Sequence, residues 1–270
     1  GLRLGNLAIM LEALINSVED DRDFLEVLEH VSGGNVRVAL GLLREFIGSG
    51  HVDSERIVDR VKSGSRPRIQ LHELVLSIAF GEADYYDPAR SVLVNVFDIE
   101  HADGKEHFLL PIAIALAREH CDPAVANGFV DCHMLVEQLQ EFGFTPQQIE
   151  PAIAKLSEMK LLDVPTRRLP VDGLPSQVRI TDRGVFHINW LCRRFSYVDA
   201  VVVDTPILEA TARTEIGDVH SLAERLRRAE VFIRYLDNQW TPLADEETKL
   251  DWQAISSDLH SQIEEIQQKI

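Results

Sequence analysis

Residues 131–159 read DCHMLVEQLQEFGFTPQQIEPAIAKLSEM, and this stretch decides the fold. Leu135, Val136, Leu139 and Phe142 recur at the i, i+1, i+4, i+7 spacing of one helical face, so Asp131 to Phe142 reads as a helix that Gly143 ends. Thr145 is an N-cap residue and Pro146 suits a first helical position, so a second helix starts there. Ile149, Ala152, Ile153, Leu156 and Met159 give it one apolar stripe. The turn between the two, Gly143-Phe144-Thr145, is short. Working outward, Leu110-Pro111 starts an earlier helix that runs through Ile112, Leu116 and Ala117 to about His120. After Leu162 the pattern changes to period two. Val164 to Arg168 reads as a short strand, Val171-Asp172-Gly173-Leu174-Pro175 as a turn, and Val178 to Thr181 as the return strand. Thr181-Asp182-Arg183-Gly184 then opens a further helix from Val185 to about Phe195.

Three helices, a hairpin and a following helix, from Phe108 to Phe195, resemble the winged-helix family. The run Val178-Arg179-Ile180-Thr181-Asp182-Arg183-Gly184 looks like the end of its wing. The resemblance implies a helix-turn-helix whose third helix, Gln147 to about Leu161, is the presumptive recognition helix.

Ahead of it, four helices are expected. Leu2 to Ile15 is densely apolar. Asp20-Asp21-Arg22-Asp23 opens a second helix with acids where the helix dipole favours them. Ser32-Gly33-Gly34-Asn35 ends that helix and caps a third, Val36 to Ile47. Val52-Asp53-Ser54 starts a fourth, to about Val61. The string Ser32-Gly33-Gly34-Asn35-Val36-Arg37-Val38-Ala39-Leu40, followed by Leu42-Leu43-Arg44, resembles the helical lid of AAA+ ATPases, in particular their origin-recognition and STAND-like branches. That resemblance implies that Arg37 is the sensor 2 arginine, which reaches the phosphates of a nucleotide. Arginine suits this task through its permanent charge and forked donors. The other reading of Arg37 is a solvent-facing helix residue. No G-x-x-x-x-G-K-[ST] loop occurs in the chain, so it is expected not to be an enzyme by itself. ATP and magnesium would belong to a parent ATPase, with its nucleotide-binding domain upstream. Ala200 to Thr205 superficially resembles a Walker B strand and reads as a buried strand or helix segment.

The expected fold class is therefore mainly α: a lid-like helical domain (1–62), a linker and connector (63–107), a winged helix with a small β wing (108–196), a helical extension (197–240) and a C-terminal amphipathic helix (241–270). The connector contains Tyr85-Tyr86-Asp87-Pro88-Ala89-Arg90-Ser91, which looks like a recurring element in bacterial relatives of these ATPases. Read on its residues alone it is an ordered packing arm. Ser221 to Trp240 is amphipathic, with Leu222, Leu226, Ala229, Phe232, Ile233 and Leu236 against Glu224, Arg225, Arg227, Arg228 and Arg234. In Asp251 to Ile270 the positions Ile255, Leu259, Ile263, Ile266 and Ile270 form a seam. It suits either a coiled coil, hence a homo-oligomer, or docking onto a helix of the same chain.

Composition narrows the function. The chain has 270 residues, 45% hydrophobic and 26% charged, as globular proteins do. No apolar run is long enough to span a bilayer, so no membrane partner is expected. The start, Gly1-Leu2-Arg3-Leu4, has no signal-peptide pattern and no initiator methionine, and reads as that of an excised fragment. Three cysteines, Cys121, Cys132 and Cys192, suit a reducing cytoplasm better than a disulfide framework. A net charge of −17 opposes generic coating of nucleic acid. Locally, Lys160, Arg167, Arg168, Arg179, Arg183, Arg193 and Arg194 stand against Asp163, Asp172 and Asp182, seven cations against three anions, which is the footprint of phosphate contact. Gln147 and Gln148 could reach base edges, and Lys155 lies on the same helix. The DNA-binding candidates are thus Gln147, Gln148, Lys155, Arg167, Arg168, Arg179 and Arg183, and the partner is double-stranded DNA.

The alternative is a protein-interaction and autoinhibitory module of a STAND-like signalling or defence ATPase, with the winged helix packing on protein. The pairs His120-Cys121 and Cys132-His133 hold potential metal ligands. Neighbours on a helix point about 100° apart and rarely share one ion, so no metal site is expected.

Overall fold

Every residue from Leu109 to Ala117 is buried. A helix sealed on all sides lies at the centre of its surroundings, and the elements that flank it in sequence pack around this one. The computed structural model describes residues 2–122, 126–165, 173–217, 219, 221–244 and 246–269, and the chain divides into two units, Gly1–Leu93 and Val94–Ile270. Among the described residues it is mainly helical, with one small antiparallel sheet.

The first unit holds α1 (Leu2–Asp20), α2 (Arg22–Val31), α3 (Val36–Gly48), α4 (Ser54–Lys62) and α5 (Leu71–Phe80). Local chemistry sets the boundaries. Asp21, Asn35 and Asp53 each accept backbone N–H bonds at the start of the helix that follows. Gly33 and Gly34 both take positive φ, +62° and +71°, where a side chain would be strained. Phe24, Val27, Phe46, Ile57, Leu74 and Val75 are fully buried. The stretch after α4, expected as linker, is fastened to α1: the Asn16 side chain donates to the Pro67 carbonyl at 3.0 Å, and Ser17 Oγ accepts from the Ile69 N–H at 2.9 Å. Helix α5 packs on α2 and α3. Its buried Glu73 accepts from the Asp53 and Gln70 N–H groups and from Arg56. Tyr86 of the connector is buried with its hydroxyl donating to the Leu93 carbonyl, and Tyr85 is exposed.

The second unit opens on an irregular segment, Val94 to Ile99, that turns at Val96 and Phe97. Side chains take its backbone bonds. His187 Nε2 accepts from the Val94 N–H, and the Tyr197 hydroxyl donates to the Val94 carbonyl and accepts from the Val96 N–H. Then follow a 3-10 turn (Gly104–Phe108), α6 (Leu109–His120), β1 (Val130–Asp131), α7 (Cys132–Glu141), α8 (Pro146–Glu158), β2 (Leu162–Asp163), β3 (Gln177–Ile180) and α9 (Asp182–Asn189). The sheet order is β1-β3-β2, with Val130 opposite Val178 and Leu162 opposite Ile180. The strand after α8 is thus Leu162–Asp163 and ends before the expected Val164, which with Pro165 is not in a strand, and β1 was not legible as a strand. Thr166, Arg167, Arg168, Val171 and Asp172 lie outside the described residues.

Beyond the sheet, the helix expected from Val185 to about Phe195 is broken at Trp190. It continues as α10 (Phe195–Val201), and α11 (Ala210–Glu215), α12 (Leu222–Trp240) and α13 (Trp252–Gln267) complete the unit. The run at Ala200 is therefore the buried end of a helix, not a strand. Helix α13 packs on α12 with Ile255, Leu259 and Ile263 buried within the chain; Ile266 is half-buried and Ile270 lies outside the described residues. The rings of Phe97, Phe108, Trp240 and Trp252 pack together, with Phe108 4.9 Å from Trp240 and 5.0 Å from Trp252.

Gly184 shows why the segment 181–184 has its composition. A Cβ there would lie 2.4 Å from the Leu161 carbonyl oxygen, where the first turn of α9 crosses the entry to β2. Gly184→Ala should therefore destabilise the second unit by about 1–3 kcal/mol, since backbone rather than a flexible side chain must yield. Thermal melting followed by tryptophan fluorescence checks this, and an unchanged Tm would refute it.

Candidate interaction surface

Helix α8 was the presumptive reader of a duplex, and its start is built as the sequence implies. Thr145 caps it in a reciprocal box with Gln148: Gln148 Oε1 accepts from the Thr145 N–H at 2.9 Å and from its hydroxyl at 3.0 Å. The cap consumes Gln148. Its other end donates to Asp103 Oδ2 at 3.1 Å, and the residue is only 5% exposed. Gln147 is exposed beside it. Lys155 is tied to Asp98 at 2.7 Å, with both side chains mostly covered. What remains exposed on α8 is Pro146, Gln147, Glu150 and Glu158, and α7 adds His133, Glu137, Gln140 and Glu141. The solvent face of the helix pair is thus acidic and neutral.

The basic run is similarly committed. Arg179 pairs with Asp163 at 2.6 Å, donates to the Asn127 carbonyl and lies 4.6 Å over the Phe129 ring. Arg183 is largely covered, and burial lowers its pKa. Arg193 pairs with Asp258 at 2.5 Å, and Arg194 lies 4.2 Å over Trp190. Of the five described cations in that run only Lys160 is exposed. Arg167 and Arg168 fall outside the described residues. Of the described candidates, Gln147 is exposed, Gln148 is used in the α8 cap, Lys155 and Arg179 are paired with carboxylates, and Arg183 is largely covered.

Asp98 and Asp103, which disarm Lys155 and Gln148, come from the segment ahead of α6. No local pattern announces them, because each acts on a helix some fifty residues away. In the same segment the buried Glu106 accepts from the backbone and ring of His101, which raises the His101 pKa chiefly through that side-chain hydrogen bond. The space between Asp98, Glu106, Gln148 and Lys155 is about 20 Å³, enough for a water and too small for a substrate.

No group of three or more metal-ligating side chains converges among the described residues. His120 bonds Gln138, Cys121 Sγ accepts from the Ile180 N–H, and His133 points to solvent. Burial pushes the Cys132 thiol up to about 11 and raises Cys192 further, so neither is a ready nucleophile at neutral pH.

In the first unit Arg37 lies in the first turn of α3, exposed, with its N–H bonded to Asn35 Oδ1 at 3.0 Å. Its guanidinium makes no hydrogen bond or ion pair among the described residues. Val36 and Leu40 beside it are 72% and 61% exposed, a large apolar area to leave in water. No helix of the described residues is long and apolar enough to cross a membrane.

Comparison of the chain with protein-family models, curated proteins and solved structures returned no match. The class of protein therefore rests on the element order and the surfaces described above.

Proposed function

We propose that this chain is a non-catalytic regulatory portion of a larger AAA+- or STAND-type ATPase, and that its second unit is a winged helix that contacts protein, not duplex DNA. The first unit is then lid-like, and the parent protein supplies the ATP and magnesium site. The order helix, β1, α7, α8, β2, β3 supports the winged-helix reading, since both strands after α8 pair antiparallel into one sheet with β1.

The observation that carries the choice of partner is the solvent face of α8. A helix entering a groove must bring cations or neutral donors near phosphates. Here Lys155 is held by Asp98, Gln148 is used in the cap, and Glu150 and Glu158 remain outward. Each carboxylate near a phosphate is repulsive, so the face suits a protein surface with basic or polar groups. The sensor role of Arg37 has weaker support, because its exposed apolar neighbours match a protein better than a phosphate.

Fluorescence anisotropy with a labelled random-sequence duplex tests this. The chain should show no salt-sensitive binding at micromolar concentration in low salt. Binding that weakens steeply with salt would overturn the reading. Loss of that binding on Arg167→Ala with Arg168→Ala would then assign the wing as a DNA contact, each phosphate contact contributing about 0.9 to the log–log salt slope.

A further inference from the structure

Two helices of the first unit carry a second apolar stripe that the unit's own core does not use. On α1 it is Leu7, Leu11 and Ile15, which are 45%, 43% and 56% exposed, continued by the half-buried Val18. On α3 it is Val36 and Leu40, continued by the half-buried Leu43 and Ile47. Both stripes repeat at the three-to-four-residue spacing of one helical face.

The charges beside the stripes are opposite in sign. Glu12 and Glu19 flank the α1 stripe, seven residues apart, and Arg37 and Arg44 flank the α3 stripe, also seven apart. Seven residues are about two turns, so each pair spans about 10.5 Å along its axis. Glu12, Arg37 and Arg44 are exposed and form no ion pair among the described residues. Glu19 meets Arg66 at 3.2 Å in a solvent-exposed pair, which is readily exchanged.

We propose that the first unit associates with a second copy of this chain, α1 of one copy lying along α3 of the other. The sense of the contact follows from the handedness of the helix. At 100° per residue, the glutamates and the arginines lie on the same rotational side of their stripes. Flanks on the same rotational side come face to face only when the helices run antiparallel. Setting Glu12 opposite Arg44 then sets Glu19 opposite Arg37. The same register places Ile15 between Leu40 and Leu43, and Leu11 between Leu43 and Ile47, so the stripes interdigitate. Because the two faces differ, one such contact is head-to-tail, and a two-fold pair makes it twice. The contact is independent of what the second unit binds.

Sedimentation velocity of the full chain over a concentration series tests this, with circular dichroism confirming that each variant is folded. The wild type should self-associate, and more weakly as salt rises. Reversing one row, Glu12→Arg with Glu19→Arg, or Arg37→Glu with Arg44→Glu, should weaken association about tenfold or more, since two attractions become repulsions. Mixing the two reversed variants should restore it, as should combining all four changes in one chain. Leu11→Asp should weaken it without restoration by either swap. A wild type that stays monomeric at all concentrations and salts overturns the proposal. So does association that survives both reversals, or reversed variants that fail to complement each other.

Discussion

Asp199→Ala should lower the stability of the second unit by about 3–5 kcal/mol, the typical consequence of removing one member of a buried ion pair. Asp199 sits on α10 with its side chain 2% exposed. Arg225 and Arg228, one turn apart on α12, both reach it. Arg225 donates through Nε at 2.9 Å and also through Nη2, and Arg228 donates at 2.9 Å to the other carboxylate oxygen. Arg228 is itself only 10% exposed, so without the carboxylate its charge stays buried with nothing to balance it. Arg225, one-third exposed, can turn to water. Arg228→Ala is the informative comparison. It leaves Asp199 paired with Arg225 and should cost less, about 1–3 kcal/mol. All three tryptophans, Trp190, Trp240 and Trp252, lie in this unit, so denaturant titration followed by their fluorescence reports on it alone. Equal losses for the two variants would show that the carboxylate is not the hub.

Acid should destabilise the same unit, with His187 as a principal cause. The ring is fully buried, its Nδ1 in contact with the Arg183 carbonyl at 2.8 Å and its Nε2 accepting from the Val94 N–H. That pattern fixes the neutral tautomer with the proton on Nδ1. Burial, first of all, holds its pKa down at about 3, against 6.5 for the free side chain. Between those values the unfolded chain binds a proton that the native state excludes. Stability therefore rises with pH from about 3 to about 6.5, and is lost as pH falls through that window. At pH 5 His187 alone should cost about 2 kcal/mol relative to neutrality. His107, between the Phe97 carbonyl and the Tyr235 hydroxyl, is also held down by burial and adds to the same slope. His187→Gln should lower stability at pH 7, by losing fitted hydrogen bonds, yet flatten the dependence between pH 4 and 6.5. A variant whose stability falls as steeply as the wild type's over that range would show that His187 does not titrate as argued.

By itself the sequence determined where several of the helices start. Asp21, Asn35, Asp53, Thr145 and Ser221 each cap the helix expected after them, because a cap bond is made within three residues and needs nothing from the rest of the chain. The stripe of α8 and its short turn from α7 were legible for the same reason. Tertiary structure alone decided which charged side chains remain available. Lys155 and Gln148 are claimed by Asp98 and Asp103, and Arg225 and Arg228, which periodicity placed on a solvent face, turn inward to Asp199. It also decided that Ile255, Leu259 and Ile263 of α13 are buried within the chain. A helical period says which residues share a face. Whether that face meets water, a carboxylate or another helix depends on segments tens of residues away, and only packing brings those together.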